Sequence, residues 1–139
     1  MHRESEREAR CLCGQVSVKT RGEPVISLAC NCKNCQRRSG SPFGSIVYLK
    51  DDQVIEQVGA VESYRFKLDN GNTNETFFCP DCGATVYMKP ELFAGMTGIG
   101  TGSFCDPELP GPVMSVWSKS KYDWVTFPDE CEMRAEQTH

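Results

Sequence analysis

The chain has 139 residues and a formal net charge of −4, with 39% hydrophobic and 24% charged residues. That composition is typical of one globular domain and excludes a disordered chain, while the acidic balance excludes a basic surface for nucleic acid or an anionic membrane. No run approaches the ~20 apolar residues of a membrane span, and the charged residues 1–10 lack the apolar stretch of a signal peptide. We therefore expect a soluble, cytoplasmic protein whose nine cysteines are reduced.

Short strands separated by Gly, Pro and Asn turns make up most of the predicted secondary structure. Strands are predicted at residues 15–20, 25–28, 43–49, 61–68, 73–78, 84–88, 96–99 and 113–117. A hairpin turn is expected at 69–72, and single helical turns at 33–39 and 90–94. The sequence therefore predicts an all-β domain at 11–127, between a flexible N-terminal tail at 1–10 and a polar C-terminal tail at 128–139.

The motif at 79–83, Cys-Pro-Asp-Cys-Gly, is the most specific metal-binding signal in the chain. A turn of this type places two sulfurs on one side, and Gly83 permits the positive φ that ends it. The alternative is a redox-active Cys-x-x-Cys pair, which is typical of a thioredoxin-like βαβ unit that this sequence does not contain. We therefore predict that Cys79 and Cys82 bind a metal.

Cys11 and Cys13 supply the natural second half of such a site, since a structural zinc takes four ligands. They lie far from Cys79 in sequence, so a shared metal would join the start of the domain to its middle. A disulfide between Cys11 and Cys13 is the alternative, and ring strain and a reducing compartment disfavour it.

A third cluster, Cys30, Cys32 and Cys35, offers three thiolates within a short stretch. The histidines of the chain are His2 and His139, so no histidine inside the domain completes this site. Three protein ligands with an open fourth position are the arrangement of a catalytic zinc, and water or an exogenous thiol would fill that position.

The residues around this cluster leave alternatives open. The cations that flank the cluster, Lys33, Arg37 and Arg38, would offset its negative charge and attract an anionic substrate. Alternatively, the two arginines form a solvated face. Cys105 could be a fourth ligand, although a buried apolar cysteine is the commoner case. Cys131 lies in the predicted C-terminal tail and is expected to be a bystander.

The order of these motifs resembles the glutathione-dependent formaldehyde-activating enzymes, a family grouped with the vertebrate centromere protein V. The matching motifs are Cys11-Leu12-Cys13-Gly14, then Cys30-Asn31-Cys32-Lys33-Asn34-Cys35 with Ser39-Gly40-Ser41 after it, and Phe78-Cys79-Pro80-Asp81-Cys82-Gly83. The segment from Trp117 to Trp124 is also similar to the closing strand and turn of the family. The resemblance covers residues 11–127, and the sequence departs from the family at Asn31, where histidine is common, and at Cys105, where an apolar residue is expected.

The resemblance implies a small twisted β-sandwich, called a β-tent, with two zinc ions per chain. One structural zinc would be held by Cys11, Cys13, Cys79 and Cys82, and a second, open zinc by Cys30, Cys32 and Cys35. The partner would be a small-molecule thiol such as glutathione. The reaction would be of the carbon–sulfur lyase type, forming S-hydroxymethylglutathione from glutathione and formaldehyde.

Apart from the second zinc, no catalytic group is assigned. The expected substrate contacts are Arg37, Arg38, Phe43 and Trp117, although at least two of Phe43, Trp117 and Trp124 are expected to be core aromatics instead. Water or a serine hydroxyl, from Ser39, Ser41 or Ser118, would relay a proton. The alternative function is a non-catalytic, zinc-stabilised protein-binding module, as the centromere relative suggests; the lack of a basic arm disfavours nucleic acid but not protein as its partner.

Overall fold

The computed structural model describes residues 5–137, which form strands, two short α-helices and single 3-10 turns. The strands are β1 (Glu6–Arg10), β2 (Ser17–Arg21), β3 (Ile26–Cys30), β4 (Gly44–Lys50), β5 (Val54–Val58), β6 (Glu62–Lys67), β7 (Thr73–Phe78), β8 (Thr85–Pro90), β9 (Met96–Gly100), β10 (Met114–Val116) and β11 (Glu132–Met133). The helices are α1 (Lys33–Ser39) and α2 (Thr101–Phe104), and the 3-10 turns are Asp51–Gln53, Glu91–Phe93 and Ser118–Ser120. None of these helices has the length and apolar character needed to cross a membrane.

The strands form two sheets of unequal size. The small sheet has the order β1-β2-β5, and the large sheet has the order β11-β10-β3-β4-β9-β8-β7-β6. Neighbouring strands are antiparallel except where β10 pairs with β3 and with β11. The predicted all-β sandwich, with cysteine clusters that could hold zinc, is therefore confirmed.

The two faces of the large sheet contribute to two different apolar groups of the protein. Val47 and Leu49 of β4 pack into the main core, which also contains the fully buried Ala9 of the small sheet. Because successive strand residues point to opposite faces, Ile46 and Tyr48 of the same strand belong to a second apolar group on the other side. This second side of the large sheet carries the pocket described below.

Both predicted tails differ from the structure. Residues 6–10 form β1, which pairs with β2 and buries Ala9 in the main core, and Arg7 makes ion pairs of 3.3 Å with Glu23 and with Asp106. Near the other end, Glu132–Met133 form β11, and Cys131 is only 6% exposed. Residues 1–4 and 138–139, which include both histidines, lie outside the described residues.

Candidate metal centres and an adjoining pocket

Four cysteine sulfurs from two distant parts of the chain meet at one end of the main core. The sulfurs of Cys11, Cys13, Cys79 and Cys82 all lie within 4.8 Å of one another. The Sγ atom of Cys13 is 3.7 Å from that of Cys11 and 3.7 Å from that of Cys79. We call this group the four-thiolate cluster.

Two similar turns position these sulfurs. In the first, the Gly14 N–H donates to the Cys11 carbonyl and the Val16 N–H donates to the Cys11 sulfur at 3.2 Å. In the second, the Gly83 N–H donates to the Cys79 carbonyl at 2.8 Å. Gly14 and Gly83 have φ of 83° and 78°, a conformation that residues with a Cβ rarely adopt.

The distances fit a metal ion better than a disulfide. Four sulfurs placed tetrahedrally at ~2.3 Å from a zinc ion lie about 3.8 Å apart, whereas a disulfide joins its sulfurs at ~2.05 Å. The observed separations of 3.7 Å match the first arrangement, and all nine cysteines are free thiols. Backbone N–H donors, first that of Ala84, lower the pKa of Cys82 to about 6, which favours the thiolate that a metal requires.

The second group, which we call the three-thiolate cluster, lies where β3 passes into α1. Cys30 ends the strand, Cys32 is the N-cap of the helix, and Cys35 is in its first turn, where its N–H donates to the Cys32 sulfur at 3.3 Å. The three sulfurs lie within 4.8 Å of one another. Among the described residues, no carboxylate or imidazole belongs to this group of ligands. An all-thiolate set of this kind suits zinc.

Without a metal, these three thiols compete for protons. Hydrogen bonds from the Cys30 and Cys35 side chains lower the pKa of Cys32 to about 3, while the hydrogen bond to Cys32 strongly raises the pKa of Cys30. Neighbouring thiolates repel one another, so full ionisation of the cluster requires a cation.

Asn31 holds the loop between the first two cysteines of this cluster. Its side chain is completely buried, and its Nδ2 atom donates to the Ser115 hydroxyl and to the Val116 carbonyl, both at 2.8 Å. The Gln36 amide, from α1, donates in turn to the Asn31 carbonyl at 2.8 Å. These bonds tie the ligand loop to β10, and this role was not apparent from the sequence because Ser115 lies 84 residues away.

A pocket on the second side of the large sheet reaches the three-thiolate cluster. Cys30, Cys32 and Cys35 lie along one part of its wall, and Tyr48, Phe93 and Trp117 are among the side chains of the remainder. The pocket has a volume of about 50 Å³ and is partly open to solvent, so it admits a small group next to the sulfurs.

The residues predicted to contact substrate are distributed unevenly. Trp117 lines the pocket, whereas Arg37, Arg38 and Phe43 do not. Arg37 lies instead at a separate depression beside Tyr122, and Phe43 packs edge-to-face on Phe127 with ring centres 5.1 Å apart. Substrate contacts by these three residues stay a prediction.

Several other predicted groups also lie away from the pocket. Ser39 donates to the Cys35 carbonyl at 2.7 Å and accepts from the Ser41 N–H, so both serve the local turn. Cys105 is exposed, with its thiol directed to the Gly102 carbonyl, and is not among the three clustered thiols. Trp124 is 71% exposed, which excludes a core role for its ring.

Comparisons with known proteins agree with this geometry. A family model described as glutathione-dependent formaldehyde-activating enzyme matches residues 6–120, a span that contains both cysteine clusters. The crystal structure of a Rhodobacter sphaeroides protein is similar with a TM-score of 0.55 and 18% identity, over 69% of this chain and 85% of that chain, a likeness that shows the fold alone. A search of curated proteins finds no match. The family match extends over most of the domain, and the chain therefore belongs to the glutathione-dependent formaldehyde-activating enzyme family.

Proposed function

We propose that this protein is a zinc-dependent enzyme of the carbon–sulfur lyase type that joins a thiol to formaldehyde and reverses that addition. The family to which the chain belongs acts on formaldehyde with glutathione. The single observation that carries the finer proposal is the position of the three-thiolate cluster, whose sulfurs lie along the wall of a pocket. The four-thiolate cluster lies against the main core instead.

The two clusters would hold two zinc ions with different tasks. Cys11, Cys13, Cys79 and Cys82 are the ligands of a structural zinc, since four thiolates complete its usual coordination. The three-thiolate cluster would hold the second zinc, and a metal there lowers the pKa of a substrate thiol, so that the thiol is ionised at neutral pH. Location in the cytoplasm, where such thiols stay reduced, is part of this proposal.

The addition itself makes one bond and needs one proton. The substrate sulfur, as thiolate, forms the carbon–sulfur bond with formaldehyde, and the carbonyl π electrons move to the oxygen. The resulting alkoxide takes a proton to give the hydroxymethyl thioether, and solvent has already accepted the proton of the thiol. Reversal returns the thiol and formaldehyde.

Tyr48 is the residue that we assign to proton donation. Among the described residues, it is the one hydroxyl-bearing side chain in the pocket lining, whereas Ser39, Ser41 and Ser118 lie outside it. Its side chain is 6% exposed, and burial raises its pKa above the ordinary value, so the phenol stays protonated and able to donate. Sequence reasoning missed this residue because Tyr48 has the appearance of an ordinary strand aromatic.

The test follows exchange between formaldehyde, thiol and adduct, because thiols add to formaldehyde without help and net conversion alone is a poor measure. Magnetisation transfer with 13C-formaldehyde gives the exchange rate at equilibrium with glutathione and with smaller thiols. Protein purified with its metal should accelerate the exchange, and Tyr48→Phe should slow the catalysed exchange about 100-fold. Tyr64→Phe, at an exposed site on β6, is the matched control.

Two outcomes would contradict the proposal. If metal-loaded protein leaves the exchange of every thiol with formaldehyde unchanged, the protein does not catalyse this addition. A non-catalytic protein-binding module is then the better explanation of its function. If exchange is accelerated but Tyr48→Phe is as fast as the Tyr64→Phe control, the enzyme stands and Tyr48 is not its proton donor.

A further inference from the structure

The pocket beside the three-thiolate cluster is mainly apolar. The rings of Tyr48 and Phe93 pack against each other at a tilt of 55°, with centres 4.7 Å apart, and Leu92, Met88 and Trp117 extend the same lining. Tyr48 and Met88 are 6% and 1% exposed, so these side chains are held by the sheet beneath them. Contact with such a surface favours a ligand with an apolar body.

No cationic side chain of residues 5–137 takes part in the lining, and the one charged residue there is acidic, Asp69 in the turn between β6 and β7. Of the cations nearest in sequence to the cluster, Lys33 is exposed and Arg37 lies at the separate depression. The half-buried Arg38 lies beside Gly44 and Cys35, outside the lining. Lys119 sits 5.1 Å from the centre of the Trp117 ring but is paired with Glu136. Within the lining, a ligand carboxylate would therefore meet no arginine or lysine fork of the kind that normally binds it.

The polar groups that remain in the lining are neutral amides. Asn74 is 9% exposed, and within residues 5–137 its Nδ2 atom reaches only the Met88 sulfur, at 3.7 Å, which is a weak acceptor. Asn34 and Asn70 also line the pocket. Amides of this kind can receive a neutral hydrogen-bonding group, but they do not offset the desolvation of a carboxylate.

Building on the proposed function, we propose that this pocket selects thiols with an uncharged, apolar body, such as a benzyl group, and their formaldehyde adducts, over thiols that carry carboxylates. Glutathione, which carries two carboxylates, would then be a poor substrate for this member of the family. The selection comes from the lining opposite the sulfurs, and the chemistry at the sulfurs is unchanged.

The test measures binding as well as turnover. Calorimetry on protein purified with its metal should give a Kd for benzyl mercaptan at least about tenfold lower than that for 3-mercaptopropionate or for glutathione. Benzyl alcohol, which has the same apolar body without the sulfur, should bind far more weakly than benzyl mercaptan. The catalysed exchange with formaldehyde should rank the three thiols in the same order.

A cation placed in the lining should reverse the ranking. Leu92 is half-buried in the 3-10 turn Glu91–Phe93, and Leu92→Arg should lower the Kd of 3-mercaptopropionate about tenfold while raising that of benzyl mercaptan. Val58→Arg adds the same charge at an exposed position of the small sheet and should leave both values unchanged.

Even if Leu92→Arg does not fold, the Kd values of the wild-type protein for the three thiols test the proposed substrate class. If glutathione or 3-mercaptopropionate binds as tightly as benzyl mercaptan, the proposed substrate class is wrong while the proposed function stands. If no thiol binds and no exchange is catalysed, both are overturned.

Discussion

The four-thiolate and three-thiolate clusters use the same ligand atom in two different structural settings. The first joins residues 66 positions apart in sequence, and two of its cysteines, Cys11 and Cys79, belong to the main core. The second uses residues 30, 32 and 35 and opens on a pocket. Chain separation and the adjoining pocket, more than ligand chemistry, therefore distinguish the two clusters.

This difference has an energetic consequence. A metal that bridges distant segments removes much conformational freedom from the unfolded chain, and its binding energy becomes folding energy. A metal held by a short stretch closes almost no loop and contributes less to stability. Removing one ligand from each cluster should therefore have unequal effects.

The largest effect is expected for Cys82→Ser in the four-thiolate cluster. Metal binding by small zinc domains is worth on the order of 10 kcal/mol of folding free energy, so this variant should be unfolded or aggregated at room temperature. Circular dichroism melts check the prediction, with Cys105→Ser as the control, because Cys105 is exposed and outside both clusters. A folded Cys82→Ser protein with the melting temperature of the control would show that this cluster is not structural.

Cys32→Ser should lower the stability of the fold less than Cys82→Ser does, but it should abolish thiol binding and the catalysed exchange. The variant should remain folded, its metal-to-protein ratio should fall from about two to about one by elemental analysis, and thiol binding should be lost. The same melts and calorimetry are measured on Cys105→Ser. Equal unfolding of Cys32→Ser and Cys82→Ser, or full thiol binding by Cys32→Ser, would remove the distinction between the clusters.

Gly98→Ala should disturb the pocket while sparing both clusters. A Cβ atom at this position of β9 would lie 2.8 Å from Met88 Cγ and 2.8 Å from Tyr48 Cε1, so both lining side chains must shift. We expect a loss of about 1–3 kcal/mol of unfolding free energy and at least tenfold weaker thiol binding, with both metals retained. Gly102→Ala, where an added Cβ meets nothing within 4 Å, is the control. Unaltered thiol binding would show that this part of the lining does not contact the ligand.

The smallest effect is expected at Asp51, which belongs to neither cysteine cluster and contributes to stability through a surface ion pair. Its carboxylate accepts from Lys89 Nζ and from Thr97 Oγ1, both at 2.8 Å, and these bonds lower its pKa. A lowered folded-state pKa contributes stability above the unfolded value of about 3.9, and this is lost as the pH falls through the folded-state pKa. Because the pair is exposed, Asp51→Asn should cost less than about 1 kcal/mol at neutral pH.

Urea unfolding near pH 7 and near pH 5 measures this difference, which should be the same at both values because the Asp51 carboxylate is ionised there in the folded and the unfolded chain. A difference that grows as the pH falls would contradict this account.

Much of the fold could be predicted because the decisive signals are local. The predicted bounds of α1 and β7 agree with the structure, since Cys32 and Gly40 cap the helix and alternation with the Asp69–Asn72 turn defines the hairpin. β5 was missed because most of its residues are exposed and polar neighbours obscure its pattern. β1 was missed because its charged residues are stabilised by partners far away in sequence.

The sequence by itself determined the two sets of neighbouring cysteines and the family, because thiolate spacing and turn glycines are local properties of the chain. Only the tertiary structure decided which surface faces the three-thiolate cluster. Arg37 and Arg38 are next to it in sequence, yet α1 directs Arg37 to another depression, while Tyr48, Asn74 and Phe93 reach the pocket from separate elements. Strand pairing sets such contacts, and it depends on long-range packing that neighbouring residues do not encode.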